Sequence, residues 1–261
     1  MSNENNTVDR GSERKTLAAL KAATLLMGAR TRLGSYIDMI TATQVLNDFN
    51  FIDDDYSRIT GLEGDGSTTY LDTGRANNAD PQISKHVCVY ASRLHVDNGT
   101  EVDCYLGVYE GGATRATVLY TNSNQPAGTL RTRNNSETLI NTPGAHAVGF
   151  MGTSRSSSDN YTVRGGGSSA LVEDTSTDPT ANNLWAFAAN NVQFPQSPLY
   201  GTGRLTFYSI GEAVDLALLD QRVTRMVNLI QYYLYTGEDG AAYDTDTLIY
   251  VNNGYANGGG L

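Results

Sequence analysis

The sequence predicts a mainly β protein, an antiparallel β-sandwich with a short helix near its start and one long helix near its end. Three observations carry that expectation. Strand-forming runs recur from about residue 45 to 209, bounded by Gly, Asn, Asp and Pro at the spacing of a sandwich or jelly roll. No amphipathic helical pattern lies between those runs, which argues against a parallel α/β sheet. Ser, Thr, Asn and Gly supply more than a third of the 261 residues, a composition suited to hydroxyl-rich strands joined by many turns.

Residues 1–44 read as an N-terminal arm followed by a short helix. The first 15 residues are polar and without periodicity. From Thr16 to Met27, Leu17, Leu20, Leu25 and Leu26 with several alanines favour a helix, Thr16 serving as its cap and Gly28 as its stop. The sandwich domain is expected over residues 45–236. Its strand-like runs fall at 48–52, 56–62, 67–73, 86–93, 102–110, 116–121, 128–133, 147–154, 160–165, 183–189 and 203–210. Along them inward Val, Leu, Tyr and Phe should alternate with Thr, Ser and Asn.

A helix over about Asp215–Tyr235 closes the domain. Leu216, Leu219, Val223, Met226, Ile230 and Tyr233 recur at alternating spacings of three and four, and Gly237 supplies a stop. Asp215, or Ser209 with Glu212, supplies the cap. Tyr232, Leu234 and Tyr235 widen the late apolar face beyond a coiled-coil seam, so the helix is expected to lie on its own sandwich. Residues 237–261 are acidic and rich in Gly and Asn, a second arm with one strand-like run at 247–251.

Charge and composition exclude several classes of function. A net charge of −10 argues against a chain that coats nucleic acid or an anionic membrane. No apolar run approaches the roughly 20 residues of a membrane span, and Met1–Lys15 has no apolar signal core. Residues 1–35 carry six cations against three acids, the reverse of the bias elsewhere. Cys88 and Cys104 sit in successive strand-like runs. A disulfide is conceivable, but two buried thiols are the expectation for a chain without a secretion signal. His86, His95 and His146 form no zinc-ligand spacing with them.

Catalytic and ligand motifs are weak throughout. The glycine-rich stretches Gly61–Gly66 and Gly165–Ser168 lack the following helix or Lys of a phosphate loop and read as turns. Glycoside hydrolysis needs two carboxylates facing one cleft. Glu101 and Asp103 have the alternate spacing for that, but are expected to be the solvent-facing start of a strand. Asp53-Asp54-Asp55 and Asp244-Thr245-Asp246 offer oxygen ligands without an EF-hand pattern. No cofactor is therefore expected, a surface Ca²⁺ staying open as the alternative. Trp185 could serve as a sugar-stacking surface, yet its run Leu184–Ala188 is apolar at every position and reads as a strand buried on both faces.

Four stretches add a resemblance. Residues 60–92 (TGLEGDGSTTYLDTGRANNADPQISKHVCVYAS), 149–167 (GFMGTSRSSSDNYTVRGGG) and 203–230 (GRLTFYSIGEAVDLALLDQRVTRMVNLI) resemble segments of tailed-bacteriophage virion structural proteins, cyanophage types included, that carry a concanavalin-like, laminin-G-like jelly roll. Residues 17–40 are similar to the lead-in that such proteins place before the sandwich. The resemblance covers roughly residues 17–235. It implies a jelly-roll fold and carries over no catalytic residue. The expected function is a non-enzymatic virion component on the particle exterior, a capsid decoration or tail-associated protein. Its terminal arms would grip neighbouring virion proteins, with a trimer as the expected homo-oligomer. The alternative is an appendage lectin for host-surface glycan, using loop residues such as Asn160 and Tyr161. A polysaccharide depolymerase is the third reading.

Overall fold

The computed structural model describes residues 15–16, 18–42, 48–94, 102–110, 114–191 and 198–235. These residues form two twisted sheets packed face to face, as the alternation of apolar and hydroxyl side chains requires. In the eight-stranded sheet the order is β13 (Ser168–Glu173), β12 (Asn160–Gly165), β11 (Gly149–Arg155), β6 (Lys85–Arg93), β17 (Arg204–Gly211), β4 (Gly61–Glu63) and β3 (Tyr56–Ser57). Strand β1 (Leu20–Leu25) joins it by pairing with β17. The nine-stranded sheet runs β10 (Ile140–Thr142), β9 (Leu130–Ser136), β8 (Thr114–Thr121), β7 (Asp103–Glu110), β14 (Asn183–Ala186), β5 (Tyr70–Ala76) and β2 (Asp48–Phe49). Strands β15 (Ala188–Asn191) and β16 (Leu199–Tyr200) attach beside β7. Among the described residues the strand pairings are antiparallel except that of β15 with β7, which is parallel; β15 pairs antiparallel with β16.

The core lies between the sheets. Val87, Val89 and Ala91 of β6 and Leu205 and Ile210 of β17 meet Leu71, Leu106, Val108, Leu119 and Leu130 of the opposing layer. A second apolar layer lies outside the eight-stranded sheet, under helix α1 (Leu216–Tyr235). There Ala23, Cys88, Phe150 and Phe207 receive Leu216, Leu219, Val223 and Val227. Asp215 Oδ1 accepts the N–H groups of Ala217 and Leu218 at 2.8 and 3.1 Å, so Asp215 is the cap. The helix packs on its own sandwich, as expected. Its buried face drifts, however: Val227 is fully enclosed, while Tyr233 is 68% exposed.

The short helix expected over Thr16–Met27 is corrected. Helical residues are confined to 15–16 and 18–19, and Leu20–Leu25 forms β1. Helix propensity favours alanine and leucine by only tenths of a kcal/mol per residue. Against it stand a ladder with β17 and burial between sheet and helix. Ala22 turns to the inner core and Ala23 to α1, so both faces of the strand are used. Two further runs divide. Residues 56–62 hold a β3–β4 hairpin, and 183–189 break at Phe187, whose φ of 66° swings the chain from β14 into β15. Strands β10, β13 and β16 add to those expected.

Cys88 and Cys104 are free and fully buried, one in each sheet. Cys88 turns outward under α1, and Cys104 turns outward on the other layer beside Val118 and Tyr120. The whole sandwich therefore separates them. The two terminal arms and the acidic pair Asp244 and Asp246 lie outside the described residues, apart from Lys15 and the stretch after it.

Candidate functional site

The two outer faces of the sandwich differ. Helix α1 covers the eight-stranded sheet, whereas among the described residues no helix covers the outer face of the nine-stranded sheet. On that face strand alternation places Phe49, Tyr70 and Trp185 outward while Leu71, Leu184 and Ala186 turn into the core. Phe49 lies directly opposite Tyr70 in the β2–β5 ladder, and Trp185 lies one strand further on. The three rings stack in a row. Phe49 and Tyr70 have centroids 4.2 Å apart at 12°, and Tyr70 and Trp185 have centroids 4.0 Å apart at 19°. Tyr200 of β16 tilts toward the row at 6.5 Å.

The expectation that Trp185 belongs to the core is therefore corrected. It is half-buried, and it faces outward between two buried neighbours. The alanines that flank it suggest burial on both faces, but here only one face is core. Its Nε1 is enclosed without a hydrogen-bond partner among the described residues. Phe49 presents the most ring surface, at 40% exposure. Polar groups border the row: Asp72 Oδ1 accepts from Asn183 Nδ2 at 3.0 Å, and Asn190 Nδ2 donates to Asn183 O at 3.0 Å. Burial raises the Tyr70 hydroxyl pKa, with Tyr200 and Asp72 adding to the effect. The row thus offers the exposed Phe49 ring, the phenol groups of Tyr70 and Tyr200 and a bordering carboxylate, Asp72.

The other residues singled out from sequence have structural work. Asp103 does not face solvent at all; it is buried and accepts the N–H of Thr202, while Glu101 lies outside the described residues. Asp53 pairs with Arg32, and Asp55 accepts the N–H of Ile52, closing one short turn. Asp65 accepts the N–H groups of Ser67, Thr68 and Thr69, and these bonds hold its carboxyl well below the usual range despite partial burial. Gly166 and Gly167, both at positive φ, make the β12–β13 turn. Asn160 is half-buried and Tyr161 buried, its hydroxyl bonded to Thr132. His86 is buried between Glu212 O and Ser209 Oγ, and His146 bonds the Tyr105 hydroxyl at 2.7 Å.

An acidic cleft of about 720 Å³ opens where the β9–β10, β11–β12 and β13–β14 connections meet, lined by Glu137, Asp159, Glu173 and Asp174. Sequence reading missed its organiser, Arg155, whose guanidinium is fully buried. It donates to Asn134 O and Asp174 O at 2.7 and 2.9 Å and to three further carbonyls. Among the described residues, no three His, Cys, Asp or Glu side chains are placed to hold a metal ion. No described helix is long and apolar enough to cross a membrane.

Comparison with known proteins agrees with this architecture. No family pattern matches the sequence. No curated relative matches it either. Among solved structures the chain is similar to Trypanosoma rangeli sialidase in complex with sialic acid, with a TM-score of 0.50 and 10% identity over 80% of this chain and 34% of that one. It is also similar to the CBM40 of Ruminococcus gnavus IT-sialidase, with a TM-score of 0.41 and 12% identity over 53% of this chain and 83% of that one. Mouse laminin α1 domains LG4-5 follow, with a TM-score of 0.38 and 12% identity over 66% and 47%. The chain spans about a third of the T. rangeli sialidase and about a quarter of Streptococcus pneumoniae NanB sialidase. The similarity to the T. rangeli sialidase, at 10% identity, is one of fold alone.

Proposed function

We propose that this chain is a non-enzymatic binding module on the exterior of a tailed-phage particle, and that the open face of its nine-stranded sheet docks host-surface glycan. The observation that carries the reading is the Phe49–Tyr70–Trp185 row, in which Phe49 is exposed and Tyr70 and Trp185 are half-buried. An exposed phenylalanine at the end of a stacked aromatic row suits a ligand that brings its own C–H surface. Sugar rings do so, and their hydroxyls match the bordering carboxylate, amides and phenols. The phage context rests on the resemblance of residues 17–235 to virion proteins. Between the virion-component reading and the appendage-lectin alternative drawn from the sequence, the row favours the lectin.

The non-enzymatic reading is supported by Asp103, which is buried and engaged with Thr202. Attachment to neighbouring virion proteins, with a trimer as the favoured assembly, is assigned to the terminal arms. Negative-stain imaging of antibody-labelled particles tests location, with tail labelling expected. Binding of purified protein to immobilised host envelope polysaccharide tests the face. Phe49→Ala, at an exposed position, should abolish retention while leaving the melting temperature within a few degrees. Retention undiminished by that change would defeat the reading.

A further inference from the structure

A strand at the end of a sheet has one row of backbone N–H and C=O groups outside any ladder. Folded proteins guard such rows with short strands, Pro, Lys, bulges or a covering segment. Three of the four strands that end the two sheet orders are short: β2 and β3 hold two residues each and β10 holds three. Strand β13 is the exception. It runs for six residues in unbroken register with β12, and Ser168-Ser169-Ala170-Leu171-Val172-Glu173 contains neither Pro nor Lys. Strand β1 is equally long, but its second side is engaged: Thr24 bridges to Asp38, and Met39 N–H donates to Ala23 O at 2.7 Å. Among the described residues, nothing pairs with the second side of β13.

The side chains of β13 match that opening. Alternation turns Val172 into the core and puts Ser169, Leu171 and Glu173 on the side where Arg164 meets α1. Helix α1 packs on β1, β17, β6 and β11 and leaves β13 uncovered. Leu171 is 65% exposed, more than any other aliphatic side chain among the described residues. Arg164 Nη1 donates to Ser169 Oγ at 3.0 Å, which leaves the Ser169 hydroxyl hydrogen free to donate elsewhere. Glu173 is exposed at the acidic cleft.

An unpaired backbone row beside an exposed leucine suits another strand, and β13 itself is a strand that fits. Residues directly opposite on antiparallel strands share a face of the sheet. A pair of β13 strands centred on Leu171 sets the two leucines opposite each other, Ala170 opposite Val172 and Ser169 opposite Glu173. Centred on Val172 the pair would set Leu171 against Glu173, and centred on Ala170, against Ser169. Only the first register covers leucine with leucine. It also gives the Glu173 carboxylate a hydroxyl donor. The acidic end of one strand then meets the Ser168-Ser169 end of the other, so like charges stay apart.

We infer that β13 is a self-pairing edge, through which two copies of this chain join their eight-stranded sheets into one continuous sheet about a two-fold axis at Leu171. The contact is two-fold and so adds to the trimer assigned to the arms. At six residues a copy it is small beside a standard interface, and it suits copies that the arms already hold close.

Leu171→Cys in the full chain tests the pairing, because the native thiols Cys88 and Cys104 are fully buried. Opposed Cβ atoms on paired antiparallel strands lie about 4.5–5.5 Å apart, within reach of a disulfide after a small adjustment. Under mild oxidation the variant should form a disulfide-linked dimer about tenfold faster than Ile52→Cys, an exposed position away from β13. Adding Ser169→Glu, which sets acid against Glu173, should slow the cross-link to the rate of the Ile52→Cys control. Adding Glu173→Lys as well should restore it, thermal melting confirming that each variant is folded. Equal rates for Leu171→Cys and Ile52→Cys overturn the inference. Fast cross-linking that neither charge change alters overturns it too, since the leucines would then meet without the register that defines the edge.

Discussion

Arg164 of β12 and Asp220 of α1 fasten the helix to the sheet it covers. Arg164 Nη2 and Nε lie 2.7 and 2.8 Å from Asp220 Oδ2, and Thr224 Oγ1 donates to Oδ1 at 2.9 Å. Both charged side chains are only 15% exposed, between the regimes of surface and interior ion pairs. Arg164→Met should therefore cost about 1–3 kcal/mol in urea unfolding. A double-mutant cycle with Asp220→Asn should show positive coupling; strict additivity would mean that the pair contributes nothing to docking.

Val223 is 3% exposed at the centre of the apolar layer beneath α1. Val223→Asp buries an unpaired charge, a cost of about 4–5 kcal/mol or more that takes up most of the stability of a domain at the low end of the ordinary range. Circular dichroism and sedimentation of the variant check this. A folded, monomeric variant beside a trimeric wild type would mean that α1 packs between subunits instead.

His86 gives stability a dependence on acid. Burial pushes its pKa from 6.5 down to about 4, the hydrogen bond to Glu212 O opposing the shift only in part. Below about pH 6.5 the unfolded chain takes up a proton that the folded chain refuses, so this contribution to stability is intact above that pH. It declines as the pH falls toward about 4, where the loss levels off near 3 kcal/mol. Urea midpoints of wild type and His86→Asn should diverge between pH 7 and 4. Parallel curves would show that His86 titrates normally.

Both thiols should be inert in the native state. Burial pushes Cys88 up to about 12, and Cys104 is raised well above the ordinary range for the same reason. A chromogenic disulfide reagent should find no reactive thiol in native protein and two after denaturation. Rapid native labelling of either would show that its cover opens readily.

Elements whose identity is set by local pattern were legible in the sequence. Leu216, Leu219 and Val223 lie on the buried face of α1, Asp215 caps it, and the Gly166-Gly167 turn joins two strands. Elements decided by distant partners were not. Leu20–Leu25 has helix-forming residues but sits against the open edge of β17, a fact no local window contains. Nothing about a phenylalanine announces the left-handed backbone of Phe187. Trp185 looked internal because its neighbours are apolar, and its partners Phe49 and Tyr70 are brought alongside only by the sheet.

Strand β1 and helix α1, the first and last named elements in the chain, both belong to the eight-stranded layer, opposite the aromatic row. A linker or carrier joined through either element would attach to the rear layer, with the row directed away from it. Copies fixed side by side on a support through that rear layer would hold their ligand faces in a common outward orientation. Weak single contacts could then add up across many copies on a repetitive surface.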